Sequence, residues 1–356
     1  MIMKTKSVIL LFATLIYGLF VVPSASAQPS MTLRAGSPFP ESHILAAGTK
    51  AFLDAVESKS HGRIKFQRFW AGTLVKPAEI LESTSKGVVD VTTGLWIYAP
   101  GKVPLGSFEY NFIFNDPQWR VQSKIKREMY AQLPELNAEL AKFNIAPALQ
   151  FGALTSYDVI SRKPIKTLDD LRGLRIAHTP TEYVSVFSSA GAASVVMSAG
   201  EMYQSLERGV VDAVALPLEL MYAFKLHEVA KTYFITGLST PAPVSVWVNL
   251  DTWKKLTATD QKLFVEAGSE AEQVYLKNLE AHLEKAKQEF EKAGVTTVNL
   301  PGADKTRWAA NMPDVPAQWA EKMQTIGLPG WKIVDKYMEI SRKEGWQFPR
   351  KWGEKK

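Results

Sequence analysis

Twice in this chain a helix closes on a glycine and the backbone runs into a hydrophobic strand, at Gly87-Val-Val-Asp-Val91 and Gly209-Val-Val-Asp-Ala-Val214. Glycine accepts the left-handed backbone that ends a helix, and a near-continuous apolar run suits a strand buried on both faces. The elements around the first copy fit that scheme. Residues 31–35 alternate as a strand does, 43–59 read as a helix capped by Ser42, and 63–70 as a second strand. Pro77 opens the helix that Gly87 stops, and 88–91 follow as a third strand. Around the second copy, 145–151, 158–161, 174–178 and 195–197 read as strands, with helices over 182–190 and 199–207. This alternation predicts an α/β chain with parallel sheets, and its two similar sets predict two lobes.

Residues 258–293 contain no proline, and Leu263, Phe264, Ala267, Tyr275, Leu279 and Leu283 recur at helical spacing. Thr257 and Asp260 suit an N-terminal cap and Gly294 a stop. Such a helix is on the order of 50 Å long, wider than one domain, so it is expected to run across both lobes. A coiled coil is the alternative, and the lack of a strict heptad argues against it.

The first residues set the compartment. Lys4 and Lys6 precede an uncharged, mostly apolar stretch over 8–22, then Pro23 and Ala25-Ser26-Ala27. This is the layout of a secretory signal peptide, with cleavage expected before Gln28. The apolar stretch is shorter than the roughly 20 residues that span a bilayer. Cleavage leaves about 330 residues, which favours two domains. It also lowers the formal charge by two, from +6 to +4. No block of Lys and Arg marks a nucleic-acid surface, so no nucleic-acid partner is expected. There is no cysteine, which removes disulfides, thiol nucleophiles and thiolate metal sites. His43, His61, His178, His227 and His282 show no metal-ligand spacing, and no metal or cofactor is expected. Gly-x-Ser-x-Gly, His-Glu-x-x-His and a glycine-rich phosphate loop are all absent, so no enzyme is expected. An exported hydrolase is the enzyme alternative.

Three ordered stretches carry a resemblance. The first is Gly62-Arg-Ile-Lys-Phe through Gly72-Thr-Leu to Glu79-Ile-Leu-Glu and Gly87-Val-Val-Asp90. The second is Pro164-Ile-Lys-Thr-Leu-Asp-Asp-Leu-Arg-Gly-Leu-Arg-Ile176. The third is Glu201-Met-Tyr-Gln-Ser-Leu-Glu-Arg-Gly-Val-Val-Asp212, then Lys225-Leu-His-Glu-Val229 and Trp253-Lys-Lys-Leu256. Together they resemble the DctP-type solute-binding proteins of tripartite ATP-independent periplasmic (TRAP) transporters. The resemblance implies a two-lobed periplasmic-binding-protein fold, type II-like, with crossing hinge strands and a long helix spanning both lobes. Its implied layout is a signal peptide over 1–27, lobe I over 28–152 with a returning segment at about 240–257, and lobe II over 153–239. The interlobe helix follows over 258–293, and a C-terminal helical segment over 294–356 packs on the lobes. The implied role is a periplasmic receptor that closes around a small organic molecule and hands it to membrane subunits. A sensor partner of a membrane kinase is the alternative, and both a monomer and a homodimer are open.

The resemblance also implies where ligand would sit, and there the residues depart from it. An arginine that would fork onto a ligand carboxylate is replaced by Ala177, an asparagine by Leu216, and a second arginine position falls near Ser156. Trp96 and Tyr98 occupy the loop after the third strand. A cleft without a cationic fork disfavours carboxylates, because an unpaired buried charge costs several kcal/mol. The expected ligand is therefore aromatic or largely apolar. Trp70, Tyr157 and Glu219 are further candidate contacts, and Arg175 and His178 are candidate substitutes for the missing cation.

Overall fold

The computed structural model describes residues 30–99, 101–149 and 151–354. The expected signal peptide and its cleavage site lie outside them. Among the described residues eleven strands form two sheets: β1 (Met31–Gly36), β2 (Ile64–Phe69), β3 (Val91–Leu95), β4 (Phe151–Gly152), β5 (Tyr157–Ser161), β6 (Arg175–His178), β7 (Ala193–Val196), β8 (Ala213–Pro217), β9 (Thr232–Ile235), β10 (Val244–Val248) and β11 (Thr296–Asn299). The first sheet runs β2-β1-β3-β10-β4 and the second β7-β6-β8-β5-β9, with β11 added beyond β9. These are the same arrangement. In each sheet three parallel strands are followed by one antiparallel strand, β10 in the first and β5 in the second. That fourth strand arrives directly from the other lobe: β5 follows the first crossing of the chain and β10 the second.

The glycine motifs explain both the repeat and a correction to the expected strands. Val88 and Val89 donate back to the Ser83 carbonyl, and Val210 and Val211 to that of Ser205, so these valines finish helices. The strands start later, at Val91 and Ala213. The intervening aspartate locks each junction. Asp90 accepts from the Arg34 amide at 2.7 Å, and Arg34 donates to the Gly87 carbonyl at 2.6 Å. Asp212 accepts from the Arg175 amide at 3.0 Å, and Arg175 donates to the Gly209 carbonyl at 2.8 Å. The expected strand over 145–151 shrinks to a single bridge at Ile145 and the short β4. Pro147, which has no N–H to donate, interrupts it. His43 rather than Ser42 caps the first helix, Ile44–Lys59, by accepting from the Leu45 amide at 3.2 Å.

The long helix spans Ala258–Lys292, with Thr257 as its cap. Near its start Asp260 pairs with Arg63 beside β2. Gly268 lies so close to the chain before β4 that an added Cβ would sit 2.1 Å from the Leu149 carbonyl oxygen. Tyr275 donates to the Ala153 carbonyl at the first crossing (3.0 Å), and His282 to that of Glu219 in the second lobe (3.3 Å). One rigid element thus touches both lobes and the hinge between them. The C-terminal helices close the outside: the buried Trp308 donates to the Val186 carbonyl, and Trp346 to that of Phe114.

Candidate functional site

Where the lobes meet, the carboxyl ends of β3, β6 and β8 converge on a cavity of about 30 Å³. Leu45, Leu95, Ile97, Tyr98 and Tyr110 line it from the first lobe, and Thr179, Ala199, Leu216, Leu220 and Phe224 from the second. Leu154, Tyr157 and Pro243 come from the two crossings. Strand ends at the seam of α/β units are where such folds place ligand. No charged side chain lines the cavity among the described residues. The polar side chains among its lining residues are those of Tyr98, Tyr110, Tyr157 and Thr179. Tyr157 is edge-on to Tyr110 (6.3 Å, 81°) and Tyr183 (5.0 Å, 90°). Phe224 packs against His43 across the seam, with ring centroids 5.7 Å apart.

The expected site residues divide. Tyr98, Tyr157 and Leu216 line the cavity. Ala177 is fully buried in β6, two residues before the lining Thr179, and does not itself line the cavity. Ser156 is buried in the first crossing, its hydroxyl donating to the Tyr157 carbonyl at 3.3 Å, and does not line the cavity. Trp70 packs on the apolar core and does not line the cavity.

Four candidates have other work. Trp96 is a core residue, fully buried and edge-on to Trp247 at 5.4 Å. Its ring fills the space that Gly106 leaves, where an added Cβ would come within 2.0 Å. Arg175 is exposed and bound to Asp212 at the far end of β6, which holds that carboxyl well below the usual range. His178 points into the second lobe: its Nδ1–H donates to the Pro180 carbonyl (2.8 Å), Nε2 accepts from Ser194, and the ring stacks on Phe187. Burial pushes it down to about 4, so it is neutral. Glu219 is fully buried but turns to the hinge, accepting from the Thr155 amide (2.8 Å) and hydroxyl in the first crossing. Burial pushes it up to about 7.

Tyr110, Thr179, Leu45, Leu154 and Phe224 were not among the expected residues. Tyr110 sits in the aromatic run from Phe108 to Phe114, whose rings have no period to sort cleft from core. A wider surface groove, about 860 Å³, lies elsewhere, between the first helix and the long helix. Its lining mixes Lys50, Asp54 and Lys285 with alanines and stands open to solvent, whereas the seam gathers side chains from both lobes and both crossings.

Comparison with known proteins fits this geometry. The DctP family, bacterial extracellular solute-binding protein family 7, matches residues 35–322. The chain belongs to that family. A DctP-family TRAP receptor is a non-enzymatic, extracytoplasmic solute-binding protein that works with membrane transporter subunits. Among relatives, a monocarboxylate 2-oxoacid-binding periplasmic protein of Nostoc sp. (strain PCC 7120) is 28% identical over 71% of this chain and 69% of its own length. A solute-binding protein of Sulfitobacter sp. (strain NAS-14.1) is 27% identical over 78% and 83%. Among solved structures, a TRAP periplasmic solute-binding protein from Ochrobactrum anthropi has a TM-score of 0.77 at 22% identity, covering 89% of this chain and 96% of its own. One from Desulfovibrio salexigens with bound orotic acid has a TM-score of 0.76 at 21% identity, covering 88% and 99%. No helix among the described residues is long and apolar enough to cross a membrane.

Proposed function

We propose that this DctP-family receptor, exported with its leader cut before Gln28, captures an aromatic or otherwise largely apolar molecule at the interlobe cavity and delivers it to TRAP membrane subunits. The observation that carries the reading is the lining, which is aliphatic, aromatic and free of charge. Burying about 150 Å² of ring surface against it contributes about 4 kcal/mol. A carboxylate buried there without a cation costs several kcal/mol instead. Ala177 and Leu216 stand where the family resemblance implies an arginine and an asparagine, which supports the same conclusion.

Organic ligand pockets are usually at least ~300 Å³. A cavity of about 30 Å³ must therefore expand, and the hinge permits this. Both crossings, 153–156 and 236–243, lack regular secondary structure. Each is gripped by a buried carboxylate, the first by Glu219 and the second by Asp158, which accepts from the Thr236 and Gly237 amides at 2.8 and 2.9 Å. Parting the lobes about these grips opens the seam without unfolding either sheet.

The acids named for several relatives supply the competing reading, a small carboxylate ligand. A thermal-shift screen separates the two, since a ligand that binds only the folded state raises the melting temperature. One set holds dicarboxylates, 2-oxoacids and sugar acids, and the other phenols, aromatic alcohols, aromatic acids and steroid-like compounds. Shifts confined to the second set fit the proposal, and shifts confined to the first overturn the apolar ligand while leaving the receptor class intact.

A further inference from the structure

Within the proposed aromatic or apolar class, the charge of the ligand can be read from the groups behind the cavity wall. Tyr110 and Tyr157 are each 2% exposed and line the cavity, yet neither hydroxyl makes a hydrogen bond to any described residue. Tyr98, half-buried, lines the cavity beside them in the same condition. Unlike the enclosed, unpartnered hydroxyls of Tyr130 and Tyr183, those of Tyr98, Tyr110 and Tyr157 keep accessible surface, and each can donate one hydrogen bond and accept others.

The charges nearby are mostly negative. Glu109 adjoins Tyr110 in sequence, is 2% exposed and is paired with the buried Lys126. Lys126 is committed to that carboxylate and to the Gly106 carbonyl at 2.7 Å, so it is not offered to the cavity. Glu182, Glu109 and Glu219 are close enough to push the ionisation of Tyr110 or Tyr157 further up, on top of burial and of the neighbouring tyrosines. A carboxylate entering the cavity therefore meets no cation among the lining residues. An ammonium fares no better, because no carboxylate lines the cavity and Glu219 is already held by Thr155. Either charge would be desolvated without a counter-charge.

We propose that the ligand is uncharged, a cyclic compound whose polar groups are hydroxyls or carbonyls, and that the hydroxyls of Tyr98, Tyr110 and Tyr157 recognise them. This rests on the interlobe cavity being the ligand site. The tyrosines act as specificity determinants, and the lack of a lining cation disfavours anions.

The test is calorimetric titration of the exported protein with mono- and bicyclic aromatic skeletons, each prepared as the alcohol or ketone, the carboxylate and the amine. The neutral form is expected to bind at least ~10-fold more tightly than either matched ion, since a site built to hydrogen-bond a hydroxyl discriminates strongly. Tyr110→Phe and Tyr157→Phe are each expected to weaken the hydroxyl compound several-fold while leaving the unsubstituted skeleton and the melting temperature unchanged. A carboxylate that binds as tightly as its matched alcohol overturns the inference and leaves the aromatic cleft standing. If all three arms are silent while sugar acids or 2-oxoacids bind, the cleft reading itself falls and the inference falls with it. Tyrosine variants that leave the hydroxyl compound's affinity unchanged also overturn it.

Discussion

Replacing Lys126 with methionine removes the buried cation that pairs with Glu109. Lys126 lies on the helix Trp119–Gln132 with its side chain 1% exposed, and its ammonium sits 4.4 Å from the ring centres of both Trp96 and Phe108. Methionine fills much of the same volume, so the main loss is electrostatic: Glu109 stays buried with no counter-charge. Breaking one side of such a pair costs about 3–5 kcal/mol. For about 330 residues the unfolding entropy is roughly 0.7 kcal/mol/K, so the melting temperature should fall by about 4–7 °C in differential scanning calorimetry. The double variant Lys126→Met/Glu109→Gln removes both charges and should recover most of that loss. The pH dependence has a fixed sign. Burial already holds the Glu109 carboxyl above its ordinary 4.5, and losing the ammonium raises it further. The single variant should therefore regain stability on acidification and lose it as pH rises. A single variant within about 1 °C of the parent, or a double variant no better than the single, refutes this account of the cluster.

Arg175→Ala should lower the melting temperature, because Asp212 and the Gly209 carbonyl lose their partner, yet leave ligand affinity within about twofold; a tenfold loss by calorimetry would place Arg175 in the site after all. Gly106→Ala should destabilise by roughly 1–3 kcal/mol and alter the near-ultraviolet circular dichroism, since its Cβ would fall 2.0 Å from the Trp96 ring; an unperturbed spectrum would contradict the packing. Glu219, pushed up from 4.5 to about 7, stabilises the fold fully only below 4.5, and that stabilisation is lost as pH rises through 7. Glu219→Gln keeps an acceptor for the Thr155 amide and should gain on the parent as pH rises across that window, and parallel melting curves against pH would count against the buried hinge carboxyl.

The long helix was legible almost to the residue, because its apolar spacing, Thr257 and Gly294 are local signals that tertiary contacts do not override. Ala199–Glu207 was equally clear, with Ser198 and Glu201 forming a reciprocal cap. The strands after Gly87 and Gly209 were placed early, because a valine that closes a helix and a valine in a strand look alike in sequence. Their hydrogen-bond partners, Ser83 and Ser205, separate the two. The site was half legible. Leu216 and Tyr157 lie on strand or strand-end positions whose direction follows from the sheet, and both reach the cavity. Trp96 could not be sorted from Tyr98, two residues away, until Gly106 appeared opposite its ring. Arg175 carries a structural signal in the sequence itself. It precedes its Gly-Val-Val-Asp motif as Arg34 precedes the first, and the pair of clamps marks both arginines as structural.

The most direct test of the account is a crystal structure of the exported protein with the tightest binder from the screen. The account predicts the ligand in the seam, ring surface against Leu216 and Phe224 and polar atoms within hydrogen-bonding distance of Tyr98, Tyr110 or Tyr157. A ligand paired with Arg175, or seated in the groove beside Lys50 and Lys285, would contradict it.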